Sequence, residues 1–311
     1  MDRGNTIFYG TAAAGLPFLE YLTRHTNLKL VVTQPDARGG RKRQILEPPV
    51  KTFAREHSIP CVQPEVLRCE EFEDHVREAE ADLAVVIAYG RYISRSIARI
   101  PRRGTINVHF SLLPHWRGAA PVQRALEAGE TVSGVTIFEI RPRMDAGPVW
   151  SSRSLDVDPD ETAPQLFDRL SAMGTELLAE TLPRILEGTR VPEPQDHEAA
   201  TQAAPLRKEE GRIDWNLSAR TLYNRWRGFQ PWPGIFFEMS DRTVRVLECV
   251  PFTEEPTSSP PGTVLEITDT GMRVACGAND VLQLNRIQPQ CKRPMTPHCF
   301  SMGNKVPTRL S

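Results

Sequence analysis

Asn107 and His109 sit two residues apart in the apolar run Ile106-Asn107-Val108-His109-Phe110, and an acid, Asp145, arrives after a further helix and strand. A strand repeats every two residues, so Asn107 and His109 face one side of a sheet while Val108 faces the other. An amide donor, a titratable imidazole and a carboxylate are the parts of an acyl-type transfer site. They supply a donor to a developing oxyanion, a tunable acid and a base. Ser111-Leu112-Leu113-Pro114 reads as a Pro-closed turn between them. Arg117-Gly118 reads as a loop pair whose arginine either braces the loop or attracts an anion.

These residues need strand ends to hold them. Apolar runs predict strands over 6–9, 28–33, 82–88, 104–109, 132–139 and 149–155. Helical patterns cover 15–24, 50–57, 121–128 and 163–187. The run 82–88 (DLAVVIA) does not alternate, as expected of a strand buried on both faces. Strands separated by helices imply right-handed crossovers and a Rossmann-like, mostly parallel sheet. Ligands of such sheets bind beyond the carboxyl ends of the strands, so Gly10, Tyr89-Gly90 and His109 are expected to border one crevice. Gly10 to Gly15 (GTAAAG) has neither the GxGxxG spacing nor a Lys-Ser/Thr pair, and is read as a strand-to-helix turn.

Residues 189–204 are polar and Pro-bearing, the composition of a linker. Beyond them one helix, 218–228, precedes short strands at 235–239, 243–249, 262–267, 272–275 and 281–287, separated by turn residues. This pattern predicts a small OB-like β-barrel. The expected organisation is therefore an α/β domain over 1–188, a linker over 189–204 and a β-barrel domain over 205–311.

Bulk numbers exclude more than they identify. The chain has 38 Lys and Arg against 39 Asp and Glu, so global charge gives no argument for nucleic-acid binding. The residues from Pro205 onward are mildly basic, with 14 Lys and Arg against 11 Asp and Glu, which hints at a polyanion-facing end. The segment 34–51 adds a second basic feature, with Arg38, Arg41, Lys42 and Arg43 beside two glycines. It reads as a solvated loop or as an arm that neutralises phosphates. Six cysteines without a CxxC pair point to free thiols in a reducing cytoplasm, and no metal-ligand spacing is present. No apolar run reaches the length of a membrane span, and the first strand begins too early for a signal peptide.

At this point the chain resembles the methionyl-tRNA formyltransferase family, nearly end to end. SLLPHWRGAAPVQRALEAGE, SGVTIFEI and MDAG are similar to the signature of folate-dependent formyltransferases as a group. TQPD, the basic loop and PPVK are similar to the insertion that contacts tRNA. GRIDW, RGFQPWPG, PGTVLEI and IQPQCKRPM are similar to the family's C-terminal barrel. The chain departs from the pattern at Thr11-Ala12-Ala13-Ala14, where the family has GTP, an acidic residue and Phe. It departs also at Ala146, at Lys42 beside the matching Arg41, and at Gln202 before Ala203.

The resemblance implies formyl transfer from 10-formyltetrahydrofolate to the methionyl amine of initiator Met-tRNA, by a cytoplasmic monomer without metal. Asn107 and His109 would bind the formyl oxygen, and Asp145 would orient His109 and take or relay the amine's proton. Ser111, Leu112, Leu113 and Pro114 would line the folate site. The pterin would lie deeper, near Ile87, Ala88 and Tyr89. Around Arg41, the loop with Arg38, Lys42 and Arg43 would reach the acceptor stem, while Lys208, Arg225, Arg227, Lys292 and Arg293 would track phosphates. For Trp215, Trp226 and Trp232, core packing and base stacking are the two roles open. Transfer to an amino sugar nucleotide, or hydrolysis of the formyl donor, stays open as an alternative.

Overall fold

The computed structural model describes residues 3–39, 44–239, 242–252 and 256–310. The chain forms two compact units. The first holds the residues up to Pro121 together with Val132–Asp156 and Phe167–Ala203. The second holds Val122–Thr131, Val157–Leu166 and the chain from Ala204.

In chain order the elements are β1 (Asn5–Gly10), α1 (Leu16–His25), β2 (Asn27–Val32), β3 (Ala37–Gly39), β4 (Gln44–Leu46), α2 (Pro49–Glu56), β5 (Cys61–Val62) and α3 (Glu70–Glu78). They continue with β6 (Leu83–Ile87), α4 (Arg95–Ala98), β7 (Thr105–His109), β8 (Arg117–Gly118), α5 (Pro121–Ala128), β9 (Val132–Glu139), β10 (Val149–Asp156), α6 (Ala163–Glu187) and β11 (Gln202–Ala203).

The main sheet of the first unit runs β10-β9-β7-β6-β1-β2-β5. The five strands from β7 to β5 are parallel, and β9 and β10 close the other edge antiparallel. Burial follows from position. The central strand β6, Leu-Ala-Val-Val-Ile, is buried at every residue, whereas edge strand β10 alternates between covered and exposed residues. Ile7, Tyr9, Val86, Tyr89, Ile93 and Ile97 share one core cluster with Phe72 and Val76 of α3.

The segment 189–203 differs from the expected linker. It belongs to the first unit, where Glu193 pairs with Val149 and β11 lies parallel to β8. Its polar residues are spent on hydrogen bonds: Thr201 O accepts from Arg117 N, and Thr201 Oγ1 accepts from Trp116 N.

The second unit adds α7 (Ala219–Gly228), β12 (Ile235–Met239), β13 (Arg242–Phe252), β14 (Val264–Thr268), β15 (Gly271–Ala275), β16 (Val281–Pro289) and α8 (Pro297–Gly303). Its antiparallel sheet runs β12-β13-β16-β15-β14 in barrel-like order, with β13 bulged between Val246 and Cys249. A bulge raises local twist and lets such a sheet curl over its core. Leu222, Phe229, Phe237, Leu282 and Leu284 fill that core, and Trp215 is buried with them. Trp226 packs on the same cluster and donates from Nε1 to Leu247 O, while Trp232 is exposed.

Candidate active site

The parallel register brings Val86 of β6 opposite Asn107 of β7, and the antiparallel register brings Asn107 opposite Phe138 of β9. The three side chains therefore share one face of the sheet. Together with His109, Ala88, Tyr89 and Asp145 they line a cavity of about 460 Å³, and Ile93, Ile140, Met144 and Phe167 complete much of its wall. Asn107, His109 and Asp145 therefore line one cavity at the carboxyl end of β7.

The turn after β6 forms one wall. Ala88 and Gly90 both have positive φ, +47° and +75°. Tyr89 lies between them, and its carbonyl accepts from Thr11 Oγ1 at 3.0 Å and from Gln34 Nε2 at 2.6 Å. The ends of β1 and β2 therefore fasten this turn. Burial pushes the pKa of the Tyr89 hydroxyl up to about 12, opposed by the charge of Arg91 and by hydrogen bonding to it. Ala12, Ala13 and Ala14 do not line the cavity; Ala13–Gly15 is a single 3₁₀ turn, and Ala14 O accepts from Ser171 Oγ.

His109 is buried, with its ring edge-to-face against Phe138. Its Nε2 lies 3.0 Å from the Trp116 carbonyl. A carbonyl only accepts, so Nε2 carries the hydrogen and Nδ1 is the remaining ring nitrogen. Asp145 has φ +49°. Its Oδ2 accepts from Gly118 N at 2.8 Å. The expected contact in which Asp145 orients His109 is therefore replaced by two backbone contacts, Trp116 to the imidazole and Gly118 to the carboxylate.

Other expectations need correction. Ile87 is fully buried away from the cavity, with its carbonyl and Cγ2 beside Gly10 and Gly15, because adjacent strand residues face opposite sides. Ser111 to Pro114 also stay off the cavity wall. Ser111 Oγ donates to His115 O, Leu113 N donates to Thr136 Oγ1, and Leu112 packs on Gly134, so the turn supports the site from behind β9. Gly10 borders Phe8 and Ile87, not the cavity.

Arg117 is a buried brace. It is 1% exposed, donates from Nε and Nη2 to Gln195 Oε1, and has no partner at Nη1. Burial lowers its pKa, and nearby Arg143 lowers it further while Asp145 opposes. Sequence reasoning missed Gln195, which lies 78 positions away and carries no local signal.

A larger cavity of about 640 Å³ shares Ile93, Ile140 and Arg141 with the first. It is lined by Arg95, Arg99, Arg102 and Arg103 and by Glu139, which pairs with Arg141. It lacks the amide, the imidazole and the Asp145 carboxylate of the smaller one, so the chemistry is assigned to the smaller.

Of the expected phosphate-tracking residues, Lys208, Lys292 and Arg293 are exposed on the second unit. Arg225 is held by Glu127 Oε1 at 3.0 Å and lies over Phe229. Arg227 is not a surface residue: it is 4% exposed and bonded to Asn224 Oδ1, Asp158 O and Glu161 O. It lies on the inward stripe of α7 with Leu222 and Tyr223. Arg41, Lys42 and Arg43 lie outside the described residues, as does the side chain of Arg38. Among the described residues no group of His, Cys, Asp or Glu is arranged to hold a metal, and no helix is long and apolar enough to cross a membrane.

The formyl transferase family model matches residues 16–182, and the formyl transferase C-terminal domain model matches 205–305. The methionyl-tRNA formyltransferase of Sorangium cellulosum is 41% identical over 290 residues, 93% of this chain and 93% of that protein. That of Geobacter metallireducens is 38% identical over 301 residues, 96% of each. Among solved structures, HypX from Aquifex aeolicus in complex with tetrahydrofolic acid superposes with a TM-score of 0.65 at 16% identity, over 99% of this chain and 51% of that one. WlaRD, a sugar 3N-formyl transferase, gives 0.67 at 15% identity, over 94% and 99%. At such identities the likeness is one of fold. The two domain matches and the near full-length identity with curated relatives place the chain in the methionyl-tRNA formyltransferase family.

Proposed function

We propose that this chain transfers the formyl group of 10-formyltetrahydrofolate to the amino group of methionyl-initiator tRNA. One observation carries the assignment of roles: Asn107, His109 and Asp145 line a single cavity whose other walls are mostly apolar, with Arg91 and Arg141 among them. Those walls suit a flat heteroaromatic ring that takes a few directed hydrogen bonds from the polar groups among them. The donor supplies a formyl carbonyl on a folate nitrogen; the acceptor amine forms the new C–N bond, the bond from the formyl carbon to the folate nitrogen breaks, and that nitrogen leaves with a proton.

The chain's own residues do the rest. Asn107 donates from its carboxamide to the formyl oxygen as negative charge develops there. His109 is anchored at Nε2, so the formyl oxygen is assigned to its remaining ring nitrogen, Nδ1. Asp145 keeps Oδ2 on Gly118 N and uses Oδ1 to accept hydrogen from the attacking amine. A single preorganised donor to such an oxygen is worth roughly 2.7–4 kcal/mol. Asn107→Ala is therefore expected to lower kcat about 10²- to 10³-fold. His109→Gln is expected to lower it as well.

Exposed Lys208, Lys292 and Arg293, with Arg225 at the margin and the basic loop around Arg41, are assigned to tRNA phosphates. Phosphate contacts give salt-dependent affinity without sequence information. Preference for the initiator is assigned to a terminal pair that opens easily. A cytoplasmic monomer completes the proposal.

The test is formylation of charged initiator tRNA by purified protein, with elongator Met-tRNA as control and an amino sugar nucleotide as rival acceptor. Formylmethionyl-tRNA is the expected product. Formylation of the sugar amine alone, or release of formate without an acceptor, overturns the proposal.

A further inference from the structure

One side chain outside the cavity is bonded to the supports of both the imidazole and the carboxylate. Gln195 is 8% exposed. Its Oε1 accepts from Arg117 Nη2 at 2.6 Å and from Nε at 3.2 Å. Its Nε2 donates to Asp145 O at 3.0 Å and to Gly147 O at 2.6 Å. Both amide hydrogens and the amide oxygen are thereby used, and the orientation of the amide is fixed by its partners, guanidinium on one side and two carbonyls on the other.

Arg117 passes the constraint on. It occupies β8, whose pairing with β11 fixes the register of residues 116–118. Within those three residues the Trp116 carbonyl accepts from His109 Nε2, and the Gly118 amide donates to Asp145 Oδ2. Asp145 itself has φ +49°, Trp116 has +61° and Gly118 has +129°. Positive-φ backbone at three positions of one site persists only where surrounding contacts over-determine it. The bonds that straddle residue 146 and the bonds to Arg117 are contacts of that kind.

We propose that Gln195 is a positioning residue for formyl transfer, holding the Asp145 loop directly and the His109 support through Arg117. An amide suits this place better than an acid. It can donate to two carbonyls while accepting from a guanidinium, and it leaves the positive charge of Arg117 beside the site.

The proposal rests on the formyl-transfer reading above, so the wild-type enzyme is assayed in parallel with 10-formyltetrahydrofolate and Met-tRNA. Absence of transfer by the wild type removes that reading, and this proposal with it. Transfer by the wild type isolates the role of Gln195. Gln195→Glu keeps an acceptor for Arg117 but removes both hydrogens given to the loop carbonyls. Gln195→Met keeps the length of the side chain and removes every one of its hydrogen bonds. Both are expected to lower kcat about 10- to 100-fold, the scale set by small misplacements of reacting groups. KM for Met-tRNA is expected to stay within about threefold, because only the reacting geometry is disturbed. The pH profile of kcat is expected to move in both variants.

Wild-type kcat in Gln195→Glu overturns the proposal. So does a loss that merely tracks the fraction of folded protein, with an unmoved pH profile. Should neither variant fold, Thr201→Val removes the hydroxyl that accepts from Trp116 N and leaves the buried charge untouched. It is expected to show the same kcat-selective loss, and wild-type kcat there overturns the proposal.

Discussion

Gly118→Ala tests the geometry of the site at its tightest backbone contact. Gly118 has φ +129°, a region essentially reserved for glycine. A Cβ there would lie 2.5 Å from the Ala203 carbonyl oxygen and 3.1 Å from its carbon. Both are backbone atoms, so no side chain can swing away, and either φ must change or β8 must separate from β11. The conformational strain is about 1–3 kcal/mol. Weakening the hydrogen bonds of Arg117 N to Thr201 O and Ala120 N to Ala203 O adds about 0.5–1.5 kcal/mol each. Taken together the cost is about 2–6 kcal/mol, which lowers Tm by roughly 4–24 °C for a unit of this size.

The same displacement moves the amide that donates to Asp145 Oδ2, so kcat is expected to fall about 100-fold. Thermal unfolding followed by circular dichroism, beside steady-state formylation, reads both effects. Gly303→Ala is the control, because a Cβ there meets nothing within 4 Å. Its effect is expected within about 0.5 kcal/mol. A variant with the Tm and kcat of the wild type would refute the steric reasoning. A lowered Tm with full kcat would show that the Gly118 to Asp145 bond does not matter to turnover.

Two further outcomes follow from burial. Arg227→Ala is expected to cost about 2–3 kcal/mol in stability, through its buried bonds to Asn224, Asp158 and Glu161, while leaving the salt dependence of tRNA affinity unchanged. Lys292→Ala and Arg293→Ala are expected to do the reverse, each flattening the slope of log affinity against log salt by about one. Titrations of tRNA binding across salt concentrations, beside melting curves, separate the two classes. Alkaline stability is the second outcome. Burial raises Cys276 from 9.0 to about 12, and Tyr89 and Tyr223 from 10.0 to about 12. The native state then keeps protons that the unfolded chain has released. Stability is therefore flat with respect to these groups below pH 9, and falls as pH rises from there to 12. Each group contributes a slope of at most about 1.4 kcal/mol per pH unit. Urea midpoints measured from pH 8 to 11.5 check this, and a flat line would contradict it.

The sheet was legible because its signal is local. Five-residue apolar runs such as Leu83–Ile87 and the period-two pair Asn107 and His109 lie within one window, and α6 spans Ala163–Glu187 as its repeat predicts. The elements that escaped notice are those whose signal is thin. Helix α3 buries only Phe72 and Val76, α4 is a single turn capped by Ser94, and the α8 start is marked only by the Thr296 cap and Pro297. Two apolar residues in a charged nonapeptide do not distinguish a helix from a solvated loop, and only the packing of Phe72 and Val76 in the core of the first unit decides it.

The site was legible in its parts and not in its wiring. Asn107, His109 and Asp145 are residue types with chemistry, so sequence could nominate them. Their actual partners are the Trp116 carbonyl, the Gly118 amide and the Gln195 amide, and two of these are backbone groups that every residue possesses. A pairwise reading of side chains favours a direct imidazole–carboxylate contact, because it counts only groups that differ between residues. The fold instead satisfies each group with backbone held in positive-φ conformations. Arg227 shows the same limit from the other side. Its charge suggested solvent and phosphate, yet its position on the inner stripe of α7 delivers it to two carbonyls separated from it by more than sixty positions. Charge predicts what a side chain needs, and only tertiary placement decides whether protein or ligand provides it.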